Sequence, residues 1–307
     1  MNTPPSHGTR LREAVATATQ PMIGVYDVFS ATVAARQYRG LFLSGYGFAA
    51  SYLGLPDIGF IAWTDMLAYV GRIRSVLPEH HLLVDIDDGY GDPDIAAHVV
   101  ARMEQAGASG VVLEDQQRPR RCGHYDGKQL LPLEEYLKKL RACLEARDDL
   151  FIVARTDAKD PEEVERRVTA FARAGADAVL AEALPSLDRF RHLRSLIDVP
   201  LVCNQLAGGK TPPWSQAELS GVGVGLIIYS TPCLFAAQDA IQDALAELKE
   251  NGGKIQQRPG DTTLPENTSL LVENWKRRVP LPPVETPTRS TATGCVSLAC
   301  SPASPHP

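Results

Sequence analysis

Asp85 and Asp87 stand two residues apart in the run Leu82-Leu83-Val84-Asp85-Ile86-Asp87-Asp88. On an extended chain such residues point to one face, so both carboxylates reach the same space. Two carboxylates that close repel each other unless a proton or a cation lies between them. Glu114 ends a second apolar run, Gly110–Glu114, and adds a third oxygen donor. An all-oxygen set suits a hard cation that keeps several waters: Mg²⁺ before zinc or copper, with Mn²⁺ as a substitute. Aspartate pairs at strand ends also occur without metal, and Glu114 on the following strand is what sharpens the signal.

The second chemical feature is the stretch Gln116–Leu131, which has no clear helical or strand pattern and exceeds an ordinary βα loop. It carries Arg118, Arg120, Arg121 and Lys128 against a single acid, Asp126. That makes a basic flap suited to closing over an anion. Cys122 follows Arg121 and precedes His124 by two residues, a setting that lowers a thiol pKa and fits it for proton transfer. The plainer reading is a basic surface loop with an incidental cysteine, which suits a usually buried residue poorly. The other cysteines read differently. Cys143, Cys203 and Cys233 lie in apolar surroundings and behave as small core residues, and no CxxC spacing indicates a zinc ribbon or a disulfide framework.

These residues need a scaffold that brings distant chain segments together. Strands are expected at Met22–Tyr26, Gly40–Ser44, Leu82–Asp87, Gly110–Glu114, Leu150–Thr156, Ala178–Glu182, Pro200–Asn204 and Val224–Tyr229. Between them run helical patterns. Leu133, Leu137, Leu140 and Leu144 make an amphipathic stripe, and Asp160-Pro161-Glu162-Glu163 supplies an N-cap, a proline at N1 and an acidic first turn. Apolar strands alternating with helices mean a parallel sheet covered by helices, and eight units close a (β/α)8 TIM-type barrel. Catalytic groups in that fold project from the C-terminal strand ends. Here those ends carry Asp85, Asp87, Glu114, Arg155 and Glu182, whose shared location favours a site, whereas Asp27, Asp115 and Asp157 are equally well read as helix caps or loop anchors.

The chain has 307 residues, 44% hydrophobic and 22% charged, with a net charge of −6. That balance argues against nucleic-acid or membrane-surface binding, and no apolar run approaches the ~20 residues that span a bilayer. The polar start Met1–His7 lacks a signal-peptide core, so a cytoplasmic protein is expected. Three regions follow: residues 1–19 as an arm or short capping helix, 20–279 as the barrel with a C-terminal helical extension around Ser269–Val279, and 280–307 as a disordered Pro/Ser/Thr-rich tail.

From about residue 20 to about 250 the chain resembles the isocitrate lyase and phosphoenolpyruvate mutase superfamily. The resemblance rests on Gly24-Val25-Tyr26-Asp27-Val28-Phe29-Ser30-Ala31, Ser44-Gly45-Tyr46-Gly47 with Gly54-Leu55-Pro56-Asp57, and Asp85-Ile86-Asp87-Asp88-Gly89-Tyr90-Gly91. It continues through Glu114-Asp115-Gln116, Arg121-Cys122-Gly123-His124, Ala154-Arg155-Thr156-Asp157-Ala158, and Asn204 with Gly208-Gly209-Lys210-Thr211-Pro212. It implies Mg²⁺, a mobile gating loop, a small di- or tricarboxylate substrate, and a homotetramer that exchanges C-terminal helices between subunits. Arg120-Arg121-Cys122-Gly123-His124 fits the loop of the C–C lyases, the branch of methylisocitrate lyase, dimethylmalate lyase, petal death protein and oxaloacetate hydrolase. Carboxyphosphonoenolpyruvate mutase, a P–C enzyme, shares that loop.

By position, the resemblance makes Asp85 and Asp87 the metal holders, with Glu114 helping. Tyr26, Ser44, Gly45, Tyr46 and Asp57 would lie at the substrate. Cys122 would be the general acid, and Arg155 would bind a carboxylate of the departing half. Glu182, Asn204, Gly123 and His124 would orient it. The activity implied is cleavage of a substituted malate or hydrated oxaloacetate to an α-keto acid, or oxalate, and a carboxylate. P–C chemistry on a phosphonate and a catalytically silent ligand-binding barrel are the alternatives. A Schiff-base aldolase fits less well, since only Lys159 and Lys210 lie near strand ends. Asp88 departs from the usual threonine and is expected as a third carboxylate beside the metal pair.

Overall fold

In the computed structural model, which describes residues 5–121, 123 and 127–279, all eight expected strands form and close into one parallel barrel. They are β1 (Gln20–Val25), β2 (Gly40–Leu43), β3 (His81–Asp85), β4 (Gly110–Glu114), β7 (Phe151–Thr156), β8 (Ala178–Ala181), β9 (Leu201–Gln205) and β10 (Val224–Tyr229). The first and last close the ring, with Ile23 opposite Tyr229. Within the stretch expected to be irregular, β5 (Gln116–Gln117) and β6 (Gln129–Leu130) form a separate antiparallel pair. Two residues per strand are too few to leave a period in the sequence.

The barrel interior alternates. Met22, Leu83, Val153 and Val202 come from β1, β3, β7 and β9, while Phe42, Val112, Leu180 and Ile228 come from the strands between them. All eight are buried in one inner cluster, as the packed interior of such a barrel requires. Two residues further along each strand stand Gly24, Asp85, Arg155 and Asn204, and Ser44, Glu114, Glu182 and Ser230. The same period of two that fills the core therefore delivers the polar groups to its C-terminal mouth.

Outside the barrel lie α2 (Val28–Ala34), the short α3 (Gly45–Phe48), α4 (Trp63–Val76), α5 (Pro93–Gln105), α6 (Leu133–Ala146), α7 (Pro161–Ala174), α8 (Leu187–Leu196), α9 (Gln216–Ser220) and α10 (Pro232–Glu250). The start of α7 is as read from sequence: Asp160 accepts from the Glu163 amide at 2.9 Å, Pro161 sits at N1, and Gly175 ends the helix at φ 103°. Asp27 is also a cap, accepting from the Ser30 amide at 2.6 Å at the head of α2.

The N-terminal segment is a helix, α1 (His7–Thr17), which closes the barrel at the end opposite the mouth. Leu11 joins the inner core, and Arg12 pairs with Asp149 at 2.7 Å and Asp177 at 2.8 Å. At the other terminus α11 (Leu264–Arg277) begins five residues earlier than the leucine pattern suggests, because Thr263 and Glu266 form a capping box. The Asn274 side chain donates to Thr32 Oγ1 at 2.7 Å, tying α11 back to the barrel.

One helix fails to cover its own barrel. α10 has no buried residue, and Ile241, Leu245 and Leu248 face outward. At its root an apolar cavity of about 570 Å³ opens between α2 and the first and last strands, lined by Phe29, Val33, Tyr38, Tyr229 and Cys233. Among the described residues no helix is long and apolar enough to cross a membrane. The segment 280–307, Cys122 and His124 lie outside the described residues.

Candidate active site

Four carboxylates from three segments face one guanidinium at the mouth. Arg120 pairs with Glu114 at 2.8 Å, with Asp87 at 3.2 Å and closely with Asp57, all of them buried. Asp85 sits beside them, its Oδ1 accepting from the Asp87 amide at 3.2 Å. Asp87 takes φ 51°, in the left-handed region that aspartate tolerates better than most side chains. Gly45 presses against this group, since a Cβ there would lie 3.0 Å from Asp85 Oδ2. Any side chain there would push the Asp85 carboxylate aside by a few tenths of an ångström.

Arg155 forms the opposite wall. Its guanidinium reaches Glu114 at 3.2 Å, Asp157 at 3.0 Å and Glu182 at 3.5 Å. Lys128 adds a second cation on Asp157 at 2.6 Å and also donates to the Gly123 carbonyl. Asn204 donates to Glu182 at 3.3 Å and accepts from Ser230 Oγ at 2.6 Å. Gly123 lies so near that a Cβ would be 2.3 Å from Arg155 Nη2.

The two walls differ in electrostatics. Burial drives Asp85 and Asp87 upward against the pull of Arg120, Asp87 well above the usual carboxylate range. Burial likewise pushes Glu114 up to about 7 despite Arg120 and Arg155. Burial also opposes ionisation of Asp157, but Arg155 and Lys128 outweigh it and hold that carboxyl down to about 2. The Asp85 side is thus short of positive charge, and the Asp157 side is not.

This asymmetry tests the expected cation. Asp87 Oδ2 is buried with no hydrogen-bond partner among the described residues, and the donors are all oxygen. Among the described residues no three of His, Cys, Asp or Glu stand close enough to ligate one ion together, and Arg120 lies between Asp57, Asp87 and Glu114. The residues therefore fit a hydrated divalent ion held by few direct carboxylates, the habit of Mg²⁺. Such a charge would favour the ionised forms that burial resists.

Of the residues expected from sequence, Ser44, Tyr46, Asp57 and Asp85 line one small cavity together with Gly123, Arg155 and Asn204. Glu114, Glu182 and Asp87 adjoin it through the ion pairs above. Tyr26 is not among the residues lining that cavity and instead lines the apolar one beneath α10. Asp88 is turned away from Asp85 and Asp87, with both carboxylate oxygens accepting from Arg118 at 2.8 Å. Asp115 is anchored by Arg167 at 2.8 Å, whereas Asp157, read equally as a cap, belongs to the site. Arg120, Lys128 and Ser230 were not singled out for roles here. In the sequence Arg120 stands out as one of four loop cations and as the first residue of the Arg120–His124 loop pattern, without a partner, while Ser230 follows from the period of two on β10.

Comparison with known proteins agrees with this geometry. The sequence profile of the family described as phosphoenolpyruvate phosphomutase matches residues 11–249. The petal death protein of Dianthus caryophyllus is 35% identical over 261 residues, 83% of this chain and 82% of that protein. The 2-methylisocitrate lyase of Shewanella oneidensis is 35% identical over 256 residues, 80% of this chain and 87% of that protein. The crystal structure of 2,3-dimethylmalate lyase, described as a PEP mutase/isocitrate lyase superfamily member, superposes with a TM-score of 0.83 at 31% identity, covering 89% of this chain and 95% of that one. With the barrel, the acidic wall and the Arg155 wall in place, these matches show that the chain belongs to the phosphoenolpyruvate mutase and isocitrate lyase superfamily.

Proposed function

We propose that this protein is a Mg²⁺-dependent carbon–carbon lyase acting on a substituted malate-type 2-hydroxy acid, with hydrated oxaloacetate as the nearest variant substrate. One observation carries the reading. Glu114 pairs with Arg120 at 2.8 Å and with Arg155 at 3.2 Å, so it joins the wall of carboxylates fitted to a cation to the facing arginine fitted to an anion. Asp85 and Asp87 would hold the ion, with Glu114 behind them. Bound there, the cation would grip the 2-hydroxycarboxylate and lower the pKa of its hydroxyl.

The chain's own groups supply the rest. Ser44, Gly45 and Tyr46 would bind the substrate carboxylate at the head of α3. Arg155 neutralises the charge that builds on the departing half as the C–C bond breaks, because its donors are fixed in place before the reaction. Asn204 and Glu182 orient that half, with Gly123 and His124. Cys122, next to Gly123 in sequence, returns a proton to the departing carbon. Phe42, Val112, Leu180 and Ile228 close the floor of the cavity and exclude water from below.

The test is a substrate panel of alkylated malates, oxaloacetate and phosphonopyruvates with Mg²⁺, followed by ¹H and ³¹P NMR. An α-keto acid or oxalate from a carboxylic substrate supports the lyase. Turnover of phosphorus substrates alone would replace it with P–C chemistry, and binding without turnover would leave a silent barrel.

The uncovered face of α10 supports a homotetramer that exchanges this helix, each copy laying Ile241, Leu245 and Leu248 on the open groove at Phe29 and Val33 of another. Light scattering should give four copies. A monomer at micromolar concentration would overturn the exchange.

A further inference from the structure

We propose that Asp88 and Arg118 form a latch that sets the position of the 116–121 segment, and through it the placement of Arg120 among the mouth carboxylates. Asp88 follows Asp87 in the chain, yet its carboxylate takes no part in the acidic wall. Both of its oxygens accept from Arg118, Oδ2 from Nε and Oδ1 from Nη2, each at 2.8 Å. This side-on fork fixes orientation as well as distance. The Asp88 side chain is 4% exposed and that of Arg118 is 44% exposed, so the carboxylate is an embedded socket and the arginine the part that enters it.

The socket is itself rigid. The Asp88 carbonyl accepts from the buried Lys139 ammonium of α6 at 2.7 Å, and Asp88 Oδ1 also accepts from the Tyr90 amide at 3.2 Å. On the other side only Pro119 separates Arg118 from Arg120. Fixing residue 118 therefore restricts where the Arg120 guanidinium can reach. Gln116 closes the same segment from the far end, donating to the Arg121 carbonyl at 2.8 Å and accepting from the Arg121 amide at 2.9 Å. At its start the segment is also held by the pairing of β5 with β6 and by Gln116 donating to Asp157 at 3.3 Å, which leaves the stretch from Arg118 to Arg120 without a backbone anchor of its own among the described residues. Asp88 fixes that stretch at Arg118, two residues before the guanidinium that meets Asp57, Asp87 and Glu114.

Asp88 and Arg118 are thus positioning residues. The latch stands on geometry alone, while its effect on turnover rests on the lyase reading. The experiment is amide hydrogen exchange of the whole protein as wild type, Asp88→Asn, Arg118→Gln and the double variant, with kinetics on the best substrate alongside. Each single change is expected to speed exchange at 116–121 roughly tenfold or more, and the double variant to add little beyond the larger single effect. Exchange in β7 and β8 should not move, which separates a local latch from general destabilisation. On a substrate, kcat should fall with KM changed less. Unchanged exchange at 116–121, or full additivity of the two changes, would overturn the latch. Arg118→Gln removes the half-exposed partner and keeps the test decisive if Asp88→Asn does not fold. Absence of turnover by wild type on the whole panel would sink the lyase reading and leave the exchange result to decide the latch.

Discussion

Leu180 and Glu182, two residues apart at the end of β8, mark the line where the barrel's dry interior becomes its charged mouth. Leu180 belongs to the inner apolar cluster, and Glu182 faces Arg155 at 3.5 Å. The same step separates Val112 from Glu114, Leu83 from Asp85 and Val153 from Arg155. Site geometry therefore inherits the rigidity of a close-packed core, the preorganisation that electrostatic catalysis requires.

Removing divalent ions should abolish turnover, and Mg²⁺ or Mn²⁺ should restore it. Independently of activity, Mg²⁺ should raise the melting temperature of wild type and not that of Asp87→Asn, since an ion bound only by the folded state stabilises it. Full activity in chelated buffer would remove the cation from the assignment.

Cys122→Ser should lower kcat by roughly 10²–10⁴-fold, the usual contribution of a positioned proton donor. Oxalate affinity should stay near the wild-type value, because that ligand needs no proton. A near-normal kcat would take Cys122 out of the chemistry.

Gly123→Ala places a methyl where Arg155 Nη2 lies 2.3 Å away and Glu182 Cγ 2.9 Å away. Arg155 cannot swing aside without releasing Glu114 and Asp157. We expect kcat/KM to fall roughly 10²-fold, the scale of a misplaced catalytic group, with little change in melting temperature. Wild-type kinetics from this variant would show that residue 123 does not approach Arg155 during turnover.

Stability should decline on acidification in a way traceable to two histidines. Burial, aided by Arg74 and Arg10 and opposed by Glu79, lowers His7 to about 4. Burial, aided by Arg39, Arg10, Arg74 and His80, lowers His81 to about 4. Between pH 6.5 and 4 the unfolded chain binds more protons at these sites than the folded one. Their contribution is therefore complete above pH 6.5 and is lost as pH falls through about 4. Urea midpoints measured from pH 7.5 to 4.5 should fall less steeply for His7→Gln and His81→Asn than for wild type. Parallel slopes would contradict this.

The eight barrel strands were legible because each is a nearly continuous apolar run, and the acidic wall because Asp85, Asp87 and Glu114 close such runs. Arg155 and Glu182 were legible for the same reason. What sequence did not show were contacts made across turns. Arg120 lies six residues beyond Glu114 and 63 beyond Asp57, and no period links it to either. Asp88 looked like a third member of the acidic wall because it adjoins Asp87. The left-handed backbone at Asp87, φ 51°, helps turn the next side chain elsewhere. Tyr26 looked like a mouth residue from its place at the end of β1, but its side chain lines the apolar cavity beneath α10. Whether α1 was an arm or a cap depended on Arg12 meeting Asp149 and Asp177, more than 130 residues away.

The α1 helix has a consequence for traffic. Leu11 joins the inner apolar cluster from the α1 side, so the barrel is plugged below the small cavity, which lies on the mouth side of Phe42, Val112, Leu180 and Ile228. In the proposed lyase reaction, substrate would enter and both fragments would leave past the rim of the mouth. A surplus of either fragment should then act as a cork that competes with incoming substrate.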